Sequence, residues 1–154
     1  MFQLAAVFSP GFEKVVPKAL VDVVPGVRDV KVSSGFIRFC IDKNPFQAVN
    51  ADFLNNCFLA LKEWNAQGKN PKNGKAPSFE VMANKIRIPD VHVHEIARQR
   101  FKTFSLRFST ANVFTSVNKN VMANVEKQIS MQTGMRPDRL GGDTEFWFLT
   151  RTDG

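Results

Sequence analysis

Seven cations, Arg98, Arg100, Lys102, Arg107, Lys119, Arg136 and Arg139, fall between residues 98 and 139 of the sequence. Side chains of this type hold phosphate, because guanidinium and ammonium groups donate charge-assisted hydrogen bonds to its oxygens and release its counterions. Lys119 falls in the first turn of an expected helix, where free backbone N–H groups and the helix dipole favour an anion as well. Five such contacts give a slope of log K against log salt of roughly −3.5 to −4.5, with sequence-independent dissociation constants on the order of 10⁻⁴ to 10⁻⁶ M. For any single cation the competing reading is a solvated basic face. Lys69, Lys72 and Lys75 in a Gly- and Pro-rich stretch add three further candidates for phosphate contact.

Other chemistries find little to work with. His92 and His94, two apart, with Cys40 and Cys57 elsewhere, match no zinc-ligand spacing, and alternate positions on a helix need not converge. The chain has no Gly-x-Ser-x-Gly turn, and no histidine placed to activate a cysteine in a recognisable motif. Cys40 and Cys57 both lie in apolar runs and read as buried thiols of a reducing compartment, which gives a cytoplasmic expectation.

Composition agrees with a polyanionic partner. The chain has 154 residues and a net charge of +7, room for one ordinary domain or two small lobes. It contains 15 Phe and no Tyr, so most aromatic residues are assigned to the core and at most one or two to base stacking. No apolar run approaches the roughly 20 residues of a membrane-spanning helix, and Met1-Phe2-Gln3-Leu4 lacks the basic start of a signal peptide, so no membrane partner is expected.

The elements that must position these cations follow from period. Phe2 to Phe8 reads as a strand ended by Ser9-Pro10-Gly11. Phe12, Val15, Val16, Ala19, Leu20 and Val23 fall at helical spacing, with Ser9 as N-cap and Pro17 as the cause of a kink or interruption. Val27 to Val32 and Phe36 to Ile41 form a hairpin, Pro45 to about Asn55 a weaker helix, and Cys57 to Trp64 a fourth strand. This βαββαβ order is that of a ferredoxin-like lobe. Asn65 to Ser78 reads as a linker, followed by helices over Phe79–Ile86 and Val91–Arg100. Thr103 to Ser109 alternates strictly, placing Phe104, Leu106 and Phe108 on one face and Arg107 on the other. Val117, Val121, Val125 and Ile129 then mark a long helix, with Lys119, Asn120, Glu126 and Lys127 towards water and Gly134 at its C-terminus. After a turn at Gly141-Gly142-Asp143, Glu145-Phe146-Trp147-Phe148-Leu149 is apolar on both faces and reads as a central strand.

The ordered set Phe104-Ser-Leu-Arg107, a helix closed by Gly134, Pro137-Asp138, and Asp143-Thr-Glu145-Phe-Trp-Phe-Leu-Thr-Arg151-x-x-Gly154 resembles the C-terminal half of a THUMP domain. It is most similar to those that precede the catalytic domain of S-adenosylmethionine-dependent RNA methyltransferases. Independently, Phe8-Ser-Pro-Gly11-Phe12-Glu13 and a hairpin ending in Gly35-Phe-Ile-Arg-Phe39 resemble the small lobe that accompanies such domains. The expected fold is therefore α+β: an N-terminal ferredoxin-like lobe over residues 1–66 and an α/β THUMP domain over residues 67–154.

The resemblance implies binding of tRNA or rRNA on behalf of a C-terminal catalytic domain of the same protein, beyond Gly154, with S-adenosylmethionine as that domain's cofactor and the exocyclic amine of guanine as its target. THUMP domains also precede thiouridine-forming, pseudouridine-forming and deaminating domains. A cofactor site is not expected in this chain, which lacks a glycine-rich turn between strand and helix with an acidic residue beyond it. Asn44-Pro45-Phe46 is the nearest imitation of an Asn/Asp-Pro-Pro-aromatic catalytic loop, but it lacks the second proline and reads as a turn opening a helix. The rival class is a non-catalytic assembly module using the Phe146 to Leu149 strand or the N-terminal hairpin edge.

Overall fold

The computed structural model describes residues 1–63, 78–111 and 113–151, the side chain of Val49 excepted. The fold is α+β and divides into two compact units, residues 1–61 and the described residues from Lys62 onward. The linker expected over Asn65 to Ser78, with Lys69, Lys72 and Lys75, lies outside the described residues except for Ser78.

The first unit is a four-stranded antiparallel sheet in the order β2-β3-β1-β4, built from β1 (Phe2–Val7), β2 (Val27–Ser33), β3 (Phe36–Ile41) and β4 (Asn56–Leu59). That order is produced when each βαβ half leaves a gap for the other's strand, as the βαββαβ reading requires. Leu4, Ala6, Ile37, Phe39 and Ile41 alternate onto one face, where Val16, Leu20 and Val24 of the helical segment and Ala48 and Ala51 complete the core. Two expectations change here. Helix α1 (Val16–Val23) begins four residues later than its apolar spacing suggested, so Pro17 sits in its first turn and causes no kink. A first-turn residue has no intrahelical N–H bond to lose. The second helix is a 3₁₀ turn over Pro45–Asn50, with Asn44 capping it by accepting the Phe46 N–H at 3.0 Å.

Gln3 pairs with Cys40 and Ala6 with Cys57. Because Gln3 and Ala6 are three apart on one strand, the two thiols lie on opposite faces of the sheet. Both cysteines are free and half-buried, and burial pushes the Cys57 thiol up to about 11.

The second unit contains α2 (Phe79–Ala83), α3 (Asp90–Arg98), β5 (Thr103–Thr110), β6 (Val113–Phe114), α4 (Lys119–Thr133), β7 (Arg136–Pro137) and β8 (Thr144–Thr150). Strand β5 is the centre of its sheet. It pairs in parallel along its length with β8, and on its other side with β7 at its start and β6 at its end. Among the described residues β8 has β5 as its sole strand neighbour, so it is not the central strand its sequence suggested. Apolar residues on both faces report cover above and below a strand, and say nothing about neighbours beside it.

One face of this sheet is an aromatic layer. Phe104 meets Phe146 edge-on at 5.4 Å, Phe108 stacks on Phe148 at 4.9 Å, and Phe79 of α2 meets Phe108 edge-on at 5.1 Å. Helix α4 contributes buried Val125 and Ile129 and ends at Gly134, which has φ +76° and donates its N–H to Ser130. Gln132 fastens the α2–α3 connection to α4: it accepts the Ile88 N–H at 2.7 Å and donates to the Ile86 carbonyl at 3.3 Å.

Candidate nucleic-acid interface

The start of β5 is the best-braced part of the second unit. The Asp143 carboxylate accepts the backbone N–H groups of Lys102 at 2.8 Å and Thr103 at 3.0 Å, while the Asp143 N–H donates to the Thr103 hydroxyl at 3.1 Å. The amides of Lys102 and then Thr103 hold the Asp143 carboxyl below its usual range. On the other side of β5, the Arg136 N–H donates to the Lys102 carbonyl at 3.0 Å and the Asp138 N–H to the Phe104 carbonyl at 2.7 Å. Gly142 permits this closure, since a Cβ there would stand 2.4 Å from the backbone of Phe104.

Three of the sequence-selected cations have their backbones at or next to this braced corner. Arg136 is paired in register with Thr103, the residue after Lys102, its N–H bonds to the Lys102 carbonyl, and Arg100 precedes Lys102 by two residues. All three are exposed and have no ion pair among the described residues. Arg100 also carries a left-handed backbone, φ +59°, just past the end of α3, a position that favours glycine.

The other four stand differently. Arg98 reaches Glu95 at 3.5 Å, Arg107 binds Glu145 at 3.0 Å, and Arg139 forms a two-pronged pair with Glu126 at 2.8 Å for each prong. Glu126 was expected to face water. Its side chain is instead only 12% exposed, covered and neutralised by Arg139. Arg107 lies on the sheet face opposite Phe104 and Phe108. Lys119 opens α4 while Arg136 follows its C-terminus, and 15 helical residues put about 20 Å between the two ends. The Asn118 side chain accepts the Asn120 N–H at 2.8 Å, so part of the anion-binding capacity of that helix end is already used.

The features missed in the sequence are the acidic ones. Asp143 holds the backbone of Lys102 and Thr103, Glu145 holds Arg107, and Glu126 holds Arg139. Asp143 follows a Gly-Gly turn, a detectable signal for a carboxylate that caps neighbouring amides. The first unit has an analogous clamp: the Glu13 carboxylate accepts Gly11 N–H at 2.9 Å and Gly35 N–H at 3.2 Å, joining the two segments that carried the N-terminal resemblance.

His92 is buried on α3 and His94 exposed, two positions and so about 200° apart around the helix. Among the described residues no group of three or more His, Cys, Asp or Glu could hold a metal ion. The Gly141-Gly142 turn leads into strand β8 and not into a helix, and the Asn44 side chain is spent on capping the 3₁₀ turn, as its reading as a turn opening a helix requires. No helix among the described residues is long and apolar enough to cross a membrane.

These observations define a class: an α+β protein of two small units, one an antiparallel sheet of ferredoxin-like strand order and the other presenting a braced basic corner. No protein-family model matches the sequence, and the search of curated proteins found no match. Solved structures do share the fold. TrmN from Thermus thermophilus matches over 98% of this chain and 42% of its own, with a TM-score of 0.64 at 15% identity. PH1313 from Pyrococcus horikoshii Ot3 matches over 97% of this chain and 51% of its own, with a TM-score of 0.56 at 15% identity. A predicted N6-adenine-specific DNA methylase from Listeria monocytogenes str. 4b F2365 matches over 99% and 38%, with a TM-score of 0.58 at 16% identity. The chain thus spans about half or less of the length of the proteins it resembles in fold.

Proposed function

We propose that the chain is the nucleic-acid-binding region of an RNA-modifying methyltransferase, a ferredoxin-like lobe joined to a THUMP domain, and that Arg100, Lys102 and Arg136 form its principal phosphate contact. The observation that carries this reading is the braced corner: three exposed cations in no ion pair among the described residues, next to a strand start whose Lys102 and Thr103 amides are held by Asp143. Flexible surface lysines do not need such bracing, whereas a phosphate site gains from cations whose backbone is already placed. The resemblance of the motifs to THUMP domains supports it, as do fold neighbours described as TrmN and as a DNA methylase.

In this proposal the RNA is tRNA or rRNA, the protein is cytoplasmic, and the methyl donor S-adenosylmethionine is bound by a catalytic domain elsewhere in the protein. S-adenosylmethionine would supply the methyl group there, with a guanine amine as acceptor. The part played by this chain is to bind and orient the RNA. A three-contact site binds weakly, on the order of 10⁻⁴ to 10⁻⁶ M, but tethering to a catalytic domain raises the local substrate concentration without new contacts. Titration of fluorescently labelled tRNA and of an rRNA fragment tests the binding. Affinity that falls with added salt and with Arg136→Glu is expected, and absence of binding at low salt overturns the proposal. A glycine-rich strand-turn-helix and an Asn/Asp-Pro-Pro-aromatic loop encoded beyond Gly154 would support methyl transfer, while a different catalytic signature there would assign the region to another modification.

A further inference from the structure

The cations account for phosphate, but a second constellation in the same unit is suited to bases. On the face of the sheet opposite Phe104 and Phe108, Glu145 holds two groups at once. One carboxylate oxygen accepts the Arg107 Nε–H at 3.0 Å and the other accepts the Trp147 indole N–H at 2.9 Å. Arg107 and Trp147 are in register on adjacent parallel strands, so a guanidinium and an indole are fixed side by side by one acid. Phe114, paired with Ser109 on the other side of β5, brings its ring to 5.6 Å from that of Trp147 at an interplanar angle of 41°. Phe114 is 72% exposed and Arg107 39% exposed, although the serines beneath them, Ser105 and Ser109, are buried.

A phenylalanine that is mostly in water, beside a half-covered indole and a guanidinium, offers π surface with a positive charge at its edge. Arg107 uses Nε for Glu145, and its terminal N–H groups have no protein partner among the described residues. We infer that Phe114, Trp147 and Arg107 form a base-stacking platform for single-stranded RNA, distinct from the phosphate corner at the start of β5. This rests on the nucleic-acid reading above. Unpaired bases suit it because stacking needs an exposed base face, which a duplex hides, and because the terminal N–H groups of Arg107 can reach a phosphate or a base edge next to the stacked ring. A protein partner is the less favoured occupant: the net charge of +7 favours a polyanion.

The test compares two labelled eight-unit strands binding to the whole chain: oligouridine and an abasic ribose-phosphate strand of equal charge. Stacking is worth a factor on the order of 5 to 100 per base. Oligouridine should therefore bind at least about 5-fold more tightly, and Phe114→Ala should reduce it to the abasic level while leaving the abasic affinity unchanged. Phe114→Tyr should restore the difference, which separates lost stacking from a damaged fold. Equal binding of the two strands, or a difference that persists in Phe114→Ala, would overturn the platform. If that equal binding is still weakened by Arg136→Glu, the platform falls and the phosphate corner stands. If neither strand binds, both fall. Self-association that depends on Phe114 without nucleic acid, together with equal strand binding, would assign the face to protein contact instead.

Discussion

Arg100 carries the most specific claim at the scale of single residues. A non-glycine residue in the left-handed region costs about 1 kcal/mol, and such strain persists where the side chain is useful. Arg100→Gly should therefore raise the urea midpoint, by an amount equivalent to about 1 kcal/mol, while weakening RNA binding. Loss of stability, or undiminished binding, would remove Arg100 from the site. The titratable groups give a second expectation. Asp143 and Glu13 are held below their ordinary values of 3.8 and 4.5 by backbone amides, and burial holds His92 below 6.5. In each case the unfolded chain takes up a proton before the folded one does, so stability falls as pH falls. Urea midpoints measured across a pH series should be highest between about pH 7 and pH 9, decline first as pH drops below His92's unfolded value, decline again below about pH 4.5, and fall on the alkaline side as Cys57 ionises first in the unfolded chain. His92→Gln should remove the first decline and leave the second.

At the scale of elements, the Gly141-Gly142-Asp143 turn decides whether the basic corner exists. Gly142→Ala would force a methyl group into the β5 backbone, which a rigid strand cannot yield cheaply, and should cost about 1–3 kcal/mol. Denaturant unfolding measures this, and amide exchange at Lys102 and Thr103 should accelerate as their bonds to Asp143 loosen. The long elements were legible in sequence because their patterns are long: β5 alternates over seven of its eight residues, and α4 repeats Val121, Val125 and Ile129 before a glycine stop. The strands β6 and β7, of two residues each, were not legible, since two residues carry no period. Pro17 misled because its meaning depends on where its helix starts, and Val15 offers no side-chain cap to announce the start. The candidate site was legible as a set of cations but not as a sorted one. Which arginine is neutralised depends on carboxylates 13 to 38 residues away, as for Arg139 with Glu126 and Arg107 with Glu145.

For the whole molecule, Arg98, Arg107 and Arg139 meet carboxylates within the chain, while Arg100, Lys102 and Arg136 have no ion pair among the described residues. A site of that size binds weakly by itself and gains its effect from what is attached to it. In the proposed function Arg100, Lys102 and Arg136 together hold RNA phosphates. The salt dependence of RNA binding tests it most directly, because the slope counts the contacts. Three contacts predict a slope of log K against log salt of roughly −2 to −3, shallower than the seven cations would give, and each charge removed at the corner should lessen it by about 1. Arg139→Gln should leave the slope unchanged. A slope that ignores Lys102→Gln and Arg136→Gln while responding to Arg139→Gln would contradict the account.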